Sequence, residues 1–357
     1  MQTITIRAAV LRGRGPLKIE TLDMEGPRDD ETLVRLAASG ICRTDIDICD
    51  SWDERETPAV LGHEGAGVVE QVGRGVEGVK RGDHVVLSYD SCGNCAECRD
   101  GRPAHCRYGY ELNFGFRRLD GTNPLQGSGV RGRFFGQSSF ASHAVATERN
   151  LVRVSKKLPL EILAPLGCGF QTGAGTIMNS LKVAKGESVA VFGTGSVGLA
   201  AVMAARLAGA APIIGVDIVP RRLKLAIQLG ATNAVDARRG EIAGRVRGMA
   251  GGGVDYVVET TGEPEMHRLA VEILNLNGAA ALLTGEDGKK LSGGRRTVGI
   301  IEGDAVPQQF IPRLIRLYRR GRFPFDRLLK FYPFRDINRA MADARRGVTV
   351  KPVLLFP

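Results

Sequence analysis

The chain has 357 residues, which at roughly 100 to 200 residues per domain predicts about two domains, each able to bury a core. Hydrophobic residues make up 43% and charged residues 25%, which is the range of ordinary globular proteins and disfavours disorder. The 47 glycines follow no three-residue repeat, so a collagen-like fibre is excluded. The net charge of +10 comes from scattered basic residues and favours a basic solvated surface over a nucleic-acid site.

The amino-terminal apolar run is too short for a signal peptide, and Arg206 and Asp217 interrupt the longest apolar region, 196–219. We therefore expect a cytoplasmic protein with neither a membrane nor a nucleic-acid partner. The seven cysteines in such a reducing compartment indicate metal binding or catalysis rather than disulfide bonds.

The first third of the chain is dominated by short β segments that are separated by glycines. These segments are 3–12, 32–38, 65–72 and 83–88. A region rich in glycine and charge, 113–135, lacks periodicity and is predicted to be a long loop. The sequence therefore predicts a β-rich first domain.

From about Gly169 the pattern changes to apolar strands that alternate with helices, which predicts an α/β domain with a doubly wound parallel sheet. The predicted strands are 188–192, 213–217 and 254–259, and the predicted helices are 197–207 and 221–229. Pro220 and Gly230 fit the start and stop of the second helix. The tail 323–357 ends in a predicted strand, 353–356, and is expected to rejoin the first domain.

Four cysteines lie within fifteen residues of one another: Cys92, Cys95, Cys98 and Cys106. Four thiolates close the coordination sphere of a zinc ion and leave no position for a substrate, so a structural zinc site is predicted. An iron-sulfur cluster is the alternative. A formal charge of minus two on such a site suits a structural role, and catalysis is therefore sought elsewhere.

Cys42, His63 and Cys168 are candidate ligands of a catalytic metal, because two thiolates and a neutral imidazole neutralise zinc and leave a fourth position open. Their spacing alone does not unite them, and taken alone His63 fits a core or surface histidine better than a metal ligand. Asp45, three residues after Cys42, could orient His63 through its second ring nitrogen.

A glycine-rich turn follows the first predicted strand of the α/β domain and opens a helix, and an aspartate ends the next strand. The residues involved are Gly193, Gly195, Ser196, Val197, Gly198 and Asp217. This context predicts a dinucleotide site with the pyrophosphate at the helix N-terminus and the acid on the ribose hydroxyls. Asp217 would repel a 2′-phosphate and favours NAD, while Arg221 and Arg222 keep NADP open, although both fit an exposed helix start.

The chain resembles the zinc-dependent medium-chain alcohol dehydrogenases over essentially its whole length. Several further segments make it most similar to one group of that family, the bacterial aryl-alcohol (benzyl alcohol) dehydrogenases. They are 134–141, 165–175, 310–314, 321–328 and 330–334. The resemblance implies a GroES-like catalytic domain, 1–168 and 304–357, and a Rossmann NAD-binding domain, 169–303. It also implies a homodimer or homotetramer, associated through an edge strand near 298–302.

The same resemblance implies that Cys42, His63 and Cys168 hold a catalytic zinc and that the four clustered cysteines hold a structural one. It implies that Glu64 can enter the coordination sphere and that Arg43 contacts the cofactor pyrophosphate. Thr44 falls where the family has a hydroxyl that bonds the substrate oxygen and begins proton relay, although an N-cap role is open.

Asp47 stands where several family members have a histidine at the outer end of that relay, so it either carries the last proton step or is a surface residue without a role. Tyr89 and Trp52 are either pocket-lining or packing aromatics.

The implied reaction is reversible oxidation of a primary aromatic or allylic alcohol of the benzyl type to its aldehyde with NAD. A terpene or medium-chain aliphatic alcohol of the geraniol or perillyl type is the alternative. A redox-sensing regulator without turnover is disfavoured, because none of Cys42, Thr44, His63 and Cys168 is missing.

Overall fold

The structure is a computed structural model that describes residues 3–51, 58–127, 129–283 and 288–357, and Trp52 lies outside these ranges. By its internal contacts the chain divides into two compact units. The first comprises Met1–Cys168, Val306–Pro312 and Asp326–Pro357, and the second comprises Gly169–Ala305 and Arg313–Phe325. The resemblance assigned all of 304–357 to the first domain, whereas this division places 304–305 and 313–325 in the second unit.

The β-strands are β1 Thr3–Leu11, β2 Lys18–Glu25, β3 Glu31–Gly40, β4 Ala59–Val60, β5 Glu64–Val72, β6 His84–Leu87, β7 Leu125–Gln126, β8 His143–Thr147, β9 Leu151–Val154, β10 Val189–Phe192, β11 Ile213–Asp217, β12 Asn233–Asp236, β13 Val254–Glu259, β14 Leu274–Leu282, β15 Arg296–Gly299, β16 Leu329–Pro333 and β17 Lys351–Leu355. The α-helices are α1 Arg43–Ser51, α2 Ala96–Arg99, α3 Gly109–Phe114, α4 Leu160–Leu163, α5 Gly169–Gly175, α6 Ser196–Ala208, α7 Pro220–Leu229, α8 Ile242–Ala250, α9 Pro264–Glu272, α10 Pro307–Arg319 and α11 Ile337–Arg345. Within the described ranges, no helix has the length and apolar composition needed to cross a membrane.

Two sheets build the first unit. A four-stranded sheet has the order β4-β1-β2-β7, and a seven-stranded sheet has the order β16-β17-β3-β5-β6-β9 with β8 on β3. The carboxyl-terminal strand β17 pairs antiparallel with β3, so the tail joins this unit as the sequence predicts. The strand starts at Lys351, two residues before the predicted start at Val353, and Lys351 is buried within it despite its charge.

The register of the large sheet determines where the functional side chains meet. Gly40 at the end of β3 pairs with Glu64 at the start of β5, and on its other side with Val353 of β17. Cys42 therefore leaves β3 at the same sheet edge at which His63 enters β5.

The second unit contains a six-stranded parallel sheet of order β12-β11-β10-β13-β14-β15. Strands β10 and β11 are buried at every position, which explains their nearly continuous apolar sequence. The strand order reverses between β10 and β13, the point at which such sheets bind ligands. Helix α7 begins at Pro220 and is followed by Gly230 with a φ of 130°, as the sequence predicts. Strand β15 lies at the sheet edge.

The region 113–135 is less of a loop than the sequence predicts. Helix α3 extends to Phe114, the short strand β7 pairs with β2, and a 3-10 turn begins at Phe134. Periodicity did not reveal these elements because none is longer than six residues, so each contributes only one or two apolar positions.

Candidate active site

A group of four buried side chains lies at the edge of the large sheet in the first unit. The ligand atoms of Cys42, His63, Glu64 and Cys168 all lie within 4.8 Å of one another. The two sulfur atoms, Cys42 Sγ and Cys168 Sγ, are 3.9 Å apart although the residues are 126 positions apart in sequence. The structure thus brings together the three candidate ligands that spacing alone could not unite.

The side chain of Asp45 caps the first turn of helix α1. Asp45 Oδ2 accepts the backbone N–H of Cys42 at 2.9 Å, as the third residue of a capping box does. Its other oxygen, Oδ1, accepts from Gly62 N at 3.0 Å and lies 3.1 Å from His63 Nδ1. The carboxylate is completely buried, so one side chain fixes both the Cys42 loop and the imidazole.

His63 fits a metal ligand. Asp45 holds Nδ1, which leaves Nε2 to face a metal, the usual outer arrangement for a coordinated histidine. Nε2 is buried and has no hydrogen-bond partner among the described residues. An unsatisfied buried nitrogen is unfavourable, and a cation beside two sulfur atoms would satisfy it. Two thiolates and one imidazole leave one position open, which is typical of a catalytic zinc site.

The electrostatics of this group favour a bound cation. The pKa of the Cys42 thiol lies well below its usual value, because the Cys168 sulfur and His63 lower it more than burial raises it. Burial opposes protonation of His63, but the Asp45 carboxylate and Cys42 together raise its pKa well above the usual value. The shifts favour the Cys42 thiolate and place negative charge around His63, so a divalent cation could take the place of the proton on the imidazole.

Glu64 is held by a lysine that sequence reasoning missed. Lys351 Nζ lies 2.8 Å and 2.9 Å from the two Glu64 oxygens and donates to Ile41 O at 3.1 Å. Burial raises the pKa of Glu64 to about 7, although Lys351 lowers it. A single lysine inside an apolar strand was the signal, since a buried charge is retained only where it is paired.

An aromatic and amide shell surrounds His63. The Phe135 ring stacks on the imidazole with centroids 4.4 Å apart, and Phe134 meets it edge-on at 5.4 Å. Gln137 donates to His63 O at 3.0 Å and accepts from Gly65 N at 3.1 Å. No pattern in the sequence predicts a role for these residues, because only the tertiary fold brings the segment against β5.

The predicted relay residues lie in and beside helix α1. Thr44 Oγ1 is 3.8 Å from Cys42 Sγ and half-buried, so its hydroxyl borders the metal group. Arg43 and Asp47 are both exposed and form an ion pair of 2.6 Å with each other. Tyr89 is buried.

The four clustered cysteines form a second candidate metal site in the first unit. They lie in residues 92–106, the cysteine lobe. Their sulfur atoms lie within 4.8 Å of one another. Asn94 N and Cys95 N each donate to Cys92 Sγ at 3.4 Å, and Cys92 N donates to Cys106 Sγ at 3.3 Å. The two backbone donors lower the pKa of Cys92 to about 7 despite its desolvation. Backbone donors aimed at sulfur suit thiolates, which fits a closed four-cysteine metal site.

In the second unit the glycine-rich turn leads from β10 into α6. Gly193 has a φ of 83°, and a Cβ at Gly198 would collide with the carbonyl of Gly193, so both positions require glycine. A Cβ at Gly195 would meet nothing within 4 Å, so the backbone is open at the helix N-terminus. Ser196 and Val197 begin the helix. This cradle fits a dinucleotide pyrophosphate.

Asp217 at the end of β11 is nearly buried and supports the turn. Its Oδ2 accepts from Thr194 N at 2.7 Å and from Thr194 Oγ1 at 2.8 Å, and Oδ1 accepts from Val219 N at 2.8 Å. A carboxylate has about four acceptor positions, so one remains for a ribose hydroxyl. Arg221 is exposed, and Arg222 is half-buried with its Nε lacking a hydrogen-bond partner in the described part of the chain.

Comparison with known proteins identifies two matching family descriptions: "Alcohol dehydrogenase GroES-like domain" over residues 28–156 and "Zinc-binding dehydrogenase" over residues 196–304. A geraniol dehydrogenase of Castellaniella defragrans is 44% identical over 99% of this chain and 98% of its own. Two solved structures match with a TM-score of 0.95 over 100% of both chains. One is a zinc-binding-domain alcohol dehydrogenase protein of Burkholderia ambifaria, at 48% identity, and the other is a benzyl alcohol dehydrogenase of Acinetobacter calcoaceticus, at 41%. These matches confirm the predicted fold class, a β-rich GroES-like domain and a Rossmann domain.

Proposed function

Because this chain belongs to the zinc-dependent medium-chain alcohol dehydrogenases, we propose that it oxidises a primary aromatic or allylic alcohol of the benzyl type to the aldehyde, with NAD as hydride acceptor. The observation that carries the proposal is the buried group of Cys42, His63 and Cys168, whose donor set matches a catalytic zinc. A zinc ion bound there supplies Lewis acidity that lowers the pKa of a substrate hydroxyl.

The chain's own residues then handle the proton and the geometry. Asp45 keeps the His63 tautomer that leaves Nε2 free for the metal. Thr44, next to Cys42, accepts the hydroxyl proton of the substrate and passes it towards the cofactor ribose. Asp47 is exposed and suits a final transfer to water.

The cofactor proposal depends on the second unit. The open backbone at Gly195 receives the pyrophosphate at the N-terminus of α6. The family resemblance implies that Arg43 also contacts the pyrophosphate. Asp217 binds the ribose hydroxyls and repels a 2′-phosphate, which favours NAD over NADP. We further propose a cytoplasmic homo-oligomer, joined through the edge strand β15.

The substrate class is supported by two relatives and by the residues around His63. Benzyl alcohol and geraniol, after which these two relatives are named, both carry the hydroxymethyl group next to an unsaturated carbon. The phenylalanine rings at 134 and 135 place an apolar, aromatic surface beside the metal group. Geraniol-type terpenols are the second candidate, favoured by the 44% identity with the geraniol dehydrogenase.

The test is NADH formation by zinc-loaded enzyme at mildly alkaline pH with benzyl alcohol, geraniol and ethanol, each with NAD and with NADP. The proposal expects the highest kcat/KM for benzyl alcohol with NAD. A highest value for geraniol selects the terpene alternative. Absence of turnover with all three alcohols, at full zinc content, rejects the substrate class and leaves the family assignment intact.

A further inference from the structure

A chain of buried ion pairs runs between the cysteine lobe and the residues that surround His63. Arg133 Nη2 lies 3.3 Å from Asp90 Oδ2, and Arg133 Nη1 lies 3.1 Å from Glu31 Oε1. All three side chains are at most 4% exposed. Ion pairs so far from solvent have well-defined geometry, because each charge depends on its partner for solvation.

Arg133 also begins a turn with an unusual backbone. Residues Arg133, Phe135 and Ser138 have φ values of 70°, 51° and 50°, and Gly136 has a φ of 67°. Left-handed backbone is unfavourable for residues other than glycine and persists only where the surroundings hold it. This turn, residues 133–138, therefore needs external support.

Asp90 is part of that support. A Cβ at Gly136 would lie 2.9 Å from Asp90 Cβ, so the aspartate packs directly against the turn as well as pairing with Arg133. Asn150 Nδ2 donates to Phe135 O at 3.1 Å, and Ser138 Oγ accepts from Phe134 N at 2.9 Å. The turn thus presents the Phe135 ring to the His63 imidazole at 4.4 Å.

Asp90 is in turn fixed at the base of the cysteine lobe. It stands two residues before Cys92, and its Oδ1 accepts from Ser91 N at 2.8 Å. Asn113 Oδ1 accepts from Asp90 N at 2.8 Å, and Asn113 Nδ2 donates to Asp90 O at 3.0 Å. Asp90 is therefore joined to the lobe through the backbone of Ser91. It is also joined through Asn113, which donates to Gly109 O at 2.7 Å, because Gly109 N donates to Cys106 O at 2.8 Å.

We propose that Arg133 is a positioning residue that couples the cysteine lobe to His63. Through Asp90 it holds the left-handed turn, and the turn holds Phe135 against the imidazole so that Nε2 keeps the direction required for a metal ligand. Metal loss from the lobe then weakens metal retention at Cys42, His63 and Cys168. The inference rests on the proposed function, since it assumes a metal at those three residues.

The test measures the rate at which the full-length, two-zinc protein releases zinc to a chelator. The variant His63→Gln should lack zinc at the three-ligand site, so the kinetic phase that it loses belongs to that site. Arg118→Met is the matched control for Arg133→Met. Arg118 is also buried and pairs with Glu31 at 2.7 Å, but its ion pairs are with Glu25 and Glu31 and not with Asp90. We expect similar losses of melting temperature in both variants, and release from the three-ligand site at least tenfold faster in Arg133→Met only.

A second variant tests the coupling without disturbing the charges. Phe135→Leu keeps Arg133 and Asp90 and removes the stacked ring, and it should speed release from the three-ligand site while release from the lobe stays as in the wild type. Equal release rates in Arg133→Met and Arg118→Met, or a wild-type rate in Phe135→Leu, would overturn the inference. If His63→Gln binds as much zinc as the wild type, the proposed function itself is rejected.

Discussion

Lys351 and Glu64 form an ion pair that is closed to solvent, with Nζ 2.8 Å and 2.9 Å from the two carboxylate oxygens and both side chains at most 1% exposed. The pair exists because β17 lies beside β3 and β3 beside β5, so residues 287 positions apart meet at one sheet edge. Burial alone would lower the pKa of Lys351, and Glu64 together with Cys42 raises it above its usual value. The lysine therefore stays charged and anchors the carboxylate next to His63.

The first prediction concerns this pair. Lys351→Met leaves the buried Glu64 without its cation, so the free energy of unfolding should fall by about 3–5 kcal/mol. The double variant Lys351→Met with Glu64→Gln should recover part of that loss, because glutamine does not need a cation or a bound proton. Chemical denaturation of the zinc-loaded proteins measures both values. A loss below about 1 kcal/mol in the single variant would contradict the pairing.

The two metal groups differ in how far the sequence could predict them. The cysteine lobe was predictable from spacing, because all four ligands lie within fifteen residues and local backbone brings them together. Cys42, His63 and Cys168 were joined only through the family resemblance, since their meeting depends on sheet register. Lys351 gave only the signal of a charge beside an apolar run, which does not identify its partner, and Phe135 had no local pattern that distinguishes it from a loop residue. Long-range register and left-handed turns are properties of the folded chain that periodicity does not encode.

The second prediction concerns Asp45, which accepts from Gly62 N and holds His63 Nδ1. Asp45→Asn weakens that hold, and zinc affinity at the three-ligand site should fall roughly 10–100-fold while the cysteine lobe keeps its metal. Competition with a chelator measures the affinity. Asp47→Asn on the same helix is the control and should bind zinc as the wild type does. Equal affinity in both variants would show that Asp45 does not orient the histidine.

The third prediction concerns cofactor choice. Asp217→Asn removes the negative charge but keeps a side chain able to accept hydrogen bonds from Thr194. Like charges brought together are unfavourable, so the ratio of the KM for NADP to the KM for NAD should fall at least about tenfold, equivalent to about 1.4 kcal/mol. Steady-state kinetics with both cofactors and one alcohol measure this ratio. An unchanged ratio would assign cofactor selection to another residue, with Arg222 the next to test.

The fourth prediction concerns acid stability and the hydrogen bonds of Asp343. Tyr332 Oη donates to Asp343 Oδ2 at 2.7 Å, and Arg346 Nη2 donates to Oδ1 at 2.7 Å. These donors, with Lys330, lower the pKa of Asp343 to about 2. An unfolded aspartate has a pKa of about 3.9, so this carboxylate stabilises the fold above about pH 4, and the contribution is lost as pH falls towards 2.

Asp343→Asn should therefore melt at a lower temperature than the wild type at pH 7, and the difference should shrink steadily below pH 4. The exposed carboxylate Asp30 gives the control, because Asp30→Asn removes the same charge outside this network and should leave the pH 7 melting temperature unchanged. Thermal unfolding followed from pH 7 to pH 2 measures all three proteins. A difference between wild type and Asp343→Asn that stays constant with pH would mean that packing, and not ionisation of the carboxylate, accounts for its contribution.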